Sequence, residues 1–238
     1  MRKEILEQIC GFMLLFMMFL IVKYGVPQVI AEETFQNGRV RMRDKPVVVI
    51  DAGHGGSDPG KVGVDGSFEK EINLQIALKL REYLEQSDVD VVMTREEDTG
   101  LHGEGAGSKK LADMKRRCEI IEESGADLVV SIHQNSYHEE HVSGGQVFYY
   151  ADSKKGKQLA EILQERFTYV LGSDNRRLAK ANDSYYLLLH AKCPTVIVEC
   201  GFLSNHREAA MLQQEDYQDR MAWTVHMGIA AYLNGWEG

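Results

Sequence analysis

Residues 47–56 read VVVIDAGHGG. The unbroken apolar run Val47 to Ile50 predicts a buried strand, and the glycines around His54 predict a tight loop where it ends. Outward from there the chain alternates in character. From Glu69 to about Leu84 the apolar residues Ile72, Ile76, Leu80 and Leu84 recur every four positions, with Leu74 and Leu78 beside them, which is the pattern of an amphipathic helix. Strands are predicted at Val89–Thr94, Asp127–His133, Gln146–Tyr150 and Thr195–Glu199. Helices are predicted at Leu111–Ser124, Lys154–Leu171 and Tyr217–Leu233, the first of them ended by Gly125. Strands alternating with helices define an α/β class, a single domain around a mostly parallel sheet flanked by helices. Gly100–Ser108 (GLHGEGAGS) reads as a Gly-rich mobile loop.

The chain has 238 residues, 44% hydrophobic and 26% charged. Those proportions exclude a disordered polymer, a collagen-like repeat and a multi-pass membrane protein. A net charge of −9 argues against a nucleic-acid partner. Residues 9–22 are uninterruptedly apolar behind Arg2 and Lys3, and Val29-Ile30-Ala31 follows. That order resembles a secretory signal peptide over residues 1–31. The run is short of the ~20 residues a span requires. An uncleaved signal anchor, with membrane association through residues 9–22, is the alternative. Either one places the rest of the chain outside the cytoplasmic membrane, with residues 32–45 as a flexible lead-in and 46–236 as the folded domain. Beyond that segment three cysteines remain, Cys118, Cys193 and Cys200. An odd number without a CxxC pair describes neither a disulfide framework nor a zinc ribbon, and all three read as small buried hydrophobes.

Four chemically capable residues fall where strands end or loops begin. His54 follows the first strand, Glu69 opens the first helix, His133 follows the run Leu128 to Ile132, and Glu199 closes TVIV. In open α/β sheets ligands bind beyond the carboxyl ends of the strands. Two imidazoles and one carboxylate with an open fourth position form a catalytic zinc set, and a further carboxylate can move the proton of an activated water. Taken singly, each residue has a plainer explanation: a histidine after a strand is commonly a hydrogen-bonded structural residue, and a glutamate at a helix start meets the helix dipole. Glu199 is harder to explain that way, because an unpaired buried carboxylate is costly. Convergence of the four is what points to a metallohydrolase.

Four segments, VVVIDAGHGGSDPG (47–60), GSFEKEINLQI (66–76), ADLVVSIHQN (126–135) and PTVIVECGFLSN (194–205), occur in this order. Together they resemble the zinc-dependent N-acetylmuramoyl-L-alanine amidases of peptidoglycan hydrolysis, over about Val47 to the C-terminus. The resemblance implies a six-stranded sheet flanked by helices, Zn2+ held by His54, Glu69 and His133, and Glu199 as the catalytic glutamate. It implies a substrate of glycan strands and stem peptides, cut between the muramic lactyl group and L-alanine. The short exported layout is similar to the spore-cortex branch, which prepares muramic-δ-lactam for germination. Asn135 and Asn205 are candidates for contacts to substrate, with turn formation as the alternative. Leu189 stands where many relatives carry a basic residue, and the Gly100–Ser108 loop replaces a helix-containing insertion seen in some of them. An open groove or a floppy lid is therefore expected, with no built-in autoinhibition. His102, His138, His141, His190, His206 and His226 have no motif support and read as surface or packing residues. The rival functions are an exported zinc carboxypeptidase acting on stem peptides, a non-catalytic wall-binding module, and an amidase inactive without an activating protein partner.

Overall fold

The structure, a computed structural model, describes residues 45–103, 107–172 and 175–235. The expected signal segment, almost all of the lead-in, and the last residues of the chain lie outside the described residues. Among the described residues no helix is long and apolar enough to cross a membrane.

Strand β1 (Val47–Ala52) is buried along its whole length, as its unbroken apolar run requires. It leads through the His54 loop to α1 (Glu69–Gln86) and then to β2 (Asp90–Met93), α2 (Lys109–Ser124), β3 (Leu128–Asn135) and β4 (Gln146–Tyr149). The second half adds α3 (Lys154–Leu171), the two-residue β5 (Lys180–Ala181), α4 (Tyr186–His190), β6 (Thr195–Phe202), α5 (His206–Leu212) and α6 (Glu215–Leu233). The six strands form one sheet in the order β2-β1-β3-β6-β4-β5. Strands β2, β1, β3 and β6 are mutually parallel, and β4 pairs antiparallel with β6 and parallel with β5. The expected mostly parallel, six-stranded α/β sheet is what forms.

Side chains alternate between the two faces of a strand, and here the two faces differ in depth. One face, bearing Val48, Ile50, Leu128, Val130, Ile132, Val196 and Val198, packs against α1, α3 and α6 in the main core. The other face bears Val49 and Val129, covered by Ile121 of α2 and Leu187 of α4. Asp51, Ser131, His133, Ile197 and Glu199 share this second face by the same alternation. The shorter helices leave it open toward the carboxyl ends of β1, β3 and β6, and that is where the cavity lies.

Several boundaries differ from expectation, each for a tertiary reason. Strands β3 and β6 run past His133 and Glu199 to Asn135 and Phe202, because the two chains keep pairing through an irregularity between His133 and Asn135. His133 and Glu199 are therefore direct cross-strand neighbours inside the sheet and do not stand at its frayed end. Helix α2 begins two residues early, since the Ser108 hydroxyl accepts from Leu111 N and caps it. Helices α4 and α5 and strand β5 had no sequence prediction. All three are too short to show a period.

Candidate active site

The local chain geometry explains why the four residues meet. After β1, His54 adopts a left-handed backbone (φ 63°), an uncommon conformation for a residue with a side chain. Two buried arginines hold it there. Arg95 donates to the carbonyls of Ala52 (2.9 Å), Gly53 (3.1 Å) and Lys70 (2.8 Å). Arg117 of α2 donates to the carbonyls of Ala52 (2.9 Å) and His54 (2.7 Å), and to Asp51 Oδ1 (2.5 Å) and Asp113 Oδ2 (2.6 Å). Asp51 also accepts from Thr94 (2.7 Å) and Ser131 (2.5 Å). Burial alone would raise the Asp51 pKa, but Arg117 and these donors bring it down to about 2. A closed polar knot thus lies beneath the site.

Glu69 emerges at the start of α1, 2% exposed. Its Oε1 accepts from His133 Nδ1 (2.9 Å) and Gln134 N (3.0 Å), and its Oε2 accepts from Lys61 N (2.8 Å) and lies 3.2 Å from His54 Nε2. The other His54 nitrogen, Nδ1, is 2.9 Å from Asp58 Oδ2. Two glycines make the crowding possible. A Cβ at Gly53 would fall 2.3 Å from the His133 ring, and one at Gly60 (φ 70°) would fall 2.6 Å from Glu69 Oε2. His54, Glu69 and His133 each offer a ligand atom, and the three atoms lie within 4.8 Å of one another. Two imidazoles and a carboxylate at that spacing suit a divalent ion, so the donor set fits a metal. Burial pushes the Glu69 pKa up, but the hydrogen bonds and charges of both histidines outweigh it and hold the carboxyl well below its usual range.

Glu199 has the opposite surroundings. It is 6% exposed, and its Oε2 has no hydrogen-bond partner. Burial, reinforced by the Glu69 charge and only partly offset by His133 and His54, raises its pKa to about 7. A buried carboxylate with an uncommitted oxygen is costly unless it has work to do.

These groups line a cavity of about 610 Å³ together with Asn135, Tyr185, Lys109, Lys110 and His102. Asn135 lines it, with its Oδ1 accepting from Ser136 N (2.8 Å). Asn205 does not belong to that lining. Its Oδ1 caps α5 by accepting from Glu208 N (3.0 Å), and its Nδ2 donates to Glu140 O (2.8 Å), so the turn-forming alternative is the one observed. His102, expected to be a surface or packing residue, lines the cavity, since Leu101 N donates to Asp113 Oδ1 (2.7 Å) and draws the loop inward. Of the other unsupported histidines, His226 is buried against Ser87 (2.8 Å), His138 and His141 sit near Glu139, His190 stacks on Tyr186, and His206 is near Glu140. The three cysteines are free thiols, and burial raises Cys118 to about 11 and Cys200 to about 12. Sequence reading missed Asp51, Arg95, Arg117, the cavity-lining Tyr185 and Asn73, whose Nδ2 donates to Gly53 O (3.1 Å) and whose Oδ1 accepts from Gln134 Nε2 (3.2 Å). The only signal for the first was its place inside the quoted β1 segment.

A mostly parallel sheet carrying a His–Glu–His donor cluster and a separate buried carboxylate toward the carboxyl ends of its strands defines an α/β protein with a site able to hold a metal ion. The chain belongs to the N-acetylmuramoyl-L-alanine amidase family, whose model matches residues 48–231. It is 34% identical over 238 residues to the germination-specific N-acetylmuramoyl-L-alanine amidase of Bacillus subtilis, covering 98% of this chain and 97% of that protein. Among solved structures it resembles the CwlD amidase from Clostridioides difficile, determined in complex with the GerS lipoprotein. That likeness has a TM-score of 0.77 and 41% identity, and covers 80% of this chain and 99% of the other. The catalytic domain of CwlV from Bacillus (Paenibacillus) polymyxa is similar at a TM-score of 0.70 and 34% identity, over 79% of this chain and 98% of that domain.

Proposed function

We propose that this chain is a zinc-dependent amidase that hydrolyses the bond between the muramic lactyl group and L-alanine in peptidoglycan, in the preparation of spore cortex. The observation that carries this reading is the pairing of one fully engaged donor cluster with one buried, unengaged carboxylate at the same cavity. His54, Glu69 and His133 are the residues that would hold the ion. When bound there, zinc would supply Lewis acidity toward the scissile carbonyl and the attacking water. Glu199 orients the attacking water through Oε2, takes its proton, and delivers it to the leaving alanine nitrogen. Burial raises its pKa in the metal-free protein, which favours a carboxylate able to take up and then return a proton. Asn135, at the cavity wall, is a candidate substrate contact. The two relatives connected by name with germination or with CwlD support the cortex role. Export of the chain, by residues 1–31 as cleaved signal or anchor, with residues 32–45 as lead-in and 46–236 as the catalytic domain, belongs to the same proposal.

The test uses the full chain, its metal content, and mass spectrometry of what it releases from purified peptidoglycan. Zinc near one per chain with intact stem peptides beginning at L-alanine is the expected result. Shortened peptides would instead mean a carboxypeptidase. A second reading, activity that requires a protein partner, is supported by the lipoprotein bound to the Clostridioides difficile neighbour. It predicts a folded chain that releases nothing until such a partner is added.

A further inference from the structure

The cavity carries its positive charge on one side. Lys109 and Lys110 open α2, which lies against β1, and Lys61 belongs to the loop that follows His54. All three line the cavity and all three are exposed. The stretch Ser184 to Leu187, leading into α4 against β6, lines it with uncharged side chains. Among the described residues none of the three ammonium groups has an ion-pair or hydrogen-bond partner. The acids around them are engaged elsewhere. Asp113, one turn along α2, accepts from Arg117 Nε (2.6 Å) and Leu101 N (2.7 Å). Asp58 is held by His54 Nδ1 (2.9 Å) and Gly60 N (3.1 Å), and Glu69 by both histidines. The lysine pair does not serve its own helix either. Positive charge in a first turn opposes the helix dipole, and the first turn of α2 has no acidic residue to offset it.

We propose that Lys109 and Lys110, with Lys61, bind the carboxylate groups of the stem peptide and make the reaction selective for peptides that carry them free. This inference rests on the functional reading above and names the part of the substrate that the basic side of the cavity takes. The acetylated amino sugars of the glycan are neutral, and the muramic lactyl group is tied up in the scissile amide. Negative charge in the uncut substrate therefore lies on the peptide. Lysine suits the task, since its ammonium is a point charge on a flexible stem and follows a carboxylate through several positions, whereas a guanidinium fork demands one geometry. Contacts remote from the bond being cut are made equally in the ground and transition states, so they act on KM and leave kcat alone.

The test compares a soluble N-acetylmuramoyl tripeptide with the same compound after every carboxyl is converted to a carboxamide. In the zinc-loaded full chain the free acid should have a KM about tenfold lower, the worth of one charge-assisted hydrogen bond. Lys109→Met/Lys110→Met should erase that preference by raising KM for the acid, with kcat and zinc content unchanged. Lys154→Met/Lys155→Met removes the same charge from the first turn of α3, outside this cavity, and should keep the preference. A readout without turnover is calorimetric binding of both compounds to the zinc-loaded Glu199→Gln chain, where the acid should bind about tenfold tighter only while Lys109 and Lys110 are present. Equal KM values for acid and amide, or a preference lost equally in the α3 variant, would overturn the proposal. So would a preference kept in the α2 variant while inhibition by the released glycan is relieved, which would give the lysines to the lactyl carboxylate formed by the cut. If the parent chain releases no peptide, the amidase reading fails, and the calorimetry alone decides whether these lysines hold the peptide's carboxylates.

Discussion

Glu69 and Glu199 are both glutamates, both nearly sealed from solvent at 2% and 6% exposed, and both at one cavity, yet their surroundings drive them in opposite directions. Glu69 sits where a helix begins against a glycine-rich loop, so backbone N–H groups and two imidazoles converge on it. Glu199 sits mid-strand, where the backbone donors are already spent on sheet pairing, so burial dominates and its Oε2 stays unpaired. On the proposed function, the first carboxylate is the ionised ligand and the second the one that exchanges a proton. Residue type did not assign these roles; the local supply of hydrogen-bond donors did.

The sharpest way to break this comparison is to neutralise each carboxylate in turn. Glu199→Gln should keep its zinc and lose about 10²- to 10⁴-fold in kcat, the range a general base supplies. Glu69→Gln should lose the zinc itself, measured by metal analysis of the purified protein. If both variants lost metal, or neither did, the division of labour would be wrong. Next in size is Arg117→Met. It removes the guanidinium from a nearly fully buried knot and strands Asp51, at a cost of about 3–5 kcal/mol in chemical denaturation. Because Arg117 grips the His54 loop and not β6, the residual damage should show as weaker metal binding.

A third prediction concerns metal-stripped protein and pH. The folded-state pKa of Glu199 lies near 7, above its ordinary 4.5. Protonated Glu199 therefore fits the fold, and stability is present below the ordinary value and lost as pH rises through the folded one. Glu199→Gln removes that penalty. It should stabilise the metal-free chain at pH 8 by on the order of 3 kcal/mol and do nothing near pH 4. A variant no more stable than its parent at pH 8 would mean that Glu199 is better solvated than its burial indicates. The smallest effect belongs to a residue remote from both carboxylates. Asn205→Ala should cost about 1 kcal/mol through the lost α5 cap, with KM for peptidoglycan unchanged. A raised KM would restore Asn205 to the substrate site.

The legible features were those that repeat or punctuate. The buried run of β1, the four-residue period of α1 and the glycines around His54 announced an α/β sheet with a loop at its edge. The order of the four motifs brought His54, Glu69, His133 and Glu199 forward together. Short elements escaped, since the five residues of α4 and the two of β5 show no period. Arg95 and Arg117 escaped for another reason. Each looks like an ordinary helix or loop charge in the sequence, and only the fold turns it onto carbonyls of the His54 loop.

The sequence by itself determined the alternation of strands and helices and the chemical identity of four site residues, because hydrophobic periodicity and glycine placement act over short spans of chain. Only the tertiary structure decided that His133 and Glu199 are cross-strand neighbours and that Asp51 and Arg117 close a polar knot beneath them. Both relations join residues 66 positions apart in the chain. They depend on strand register and on which face of the sheet is thinly covered, and neither is written in any local run of residues.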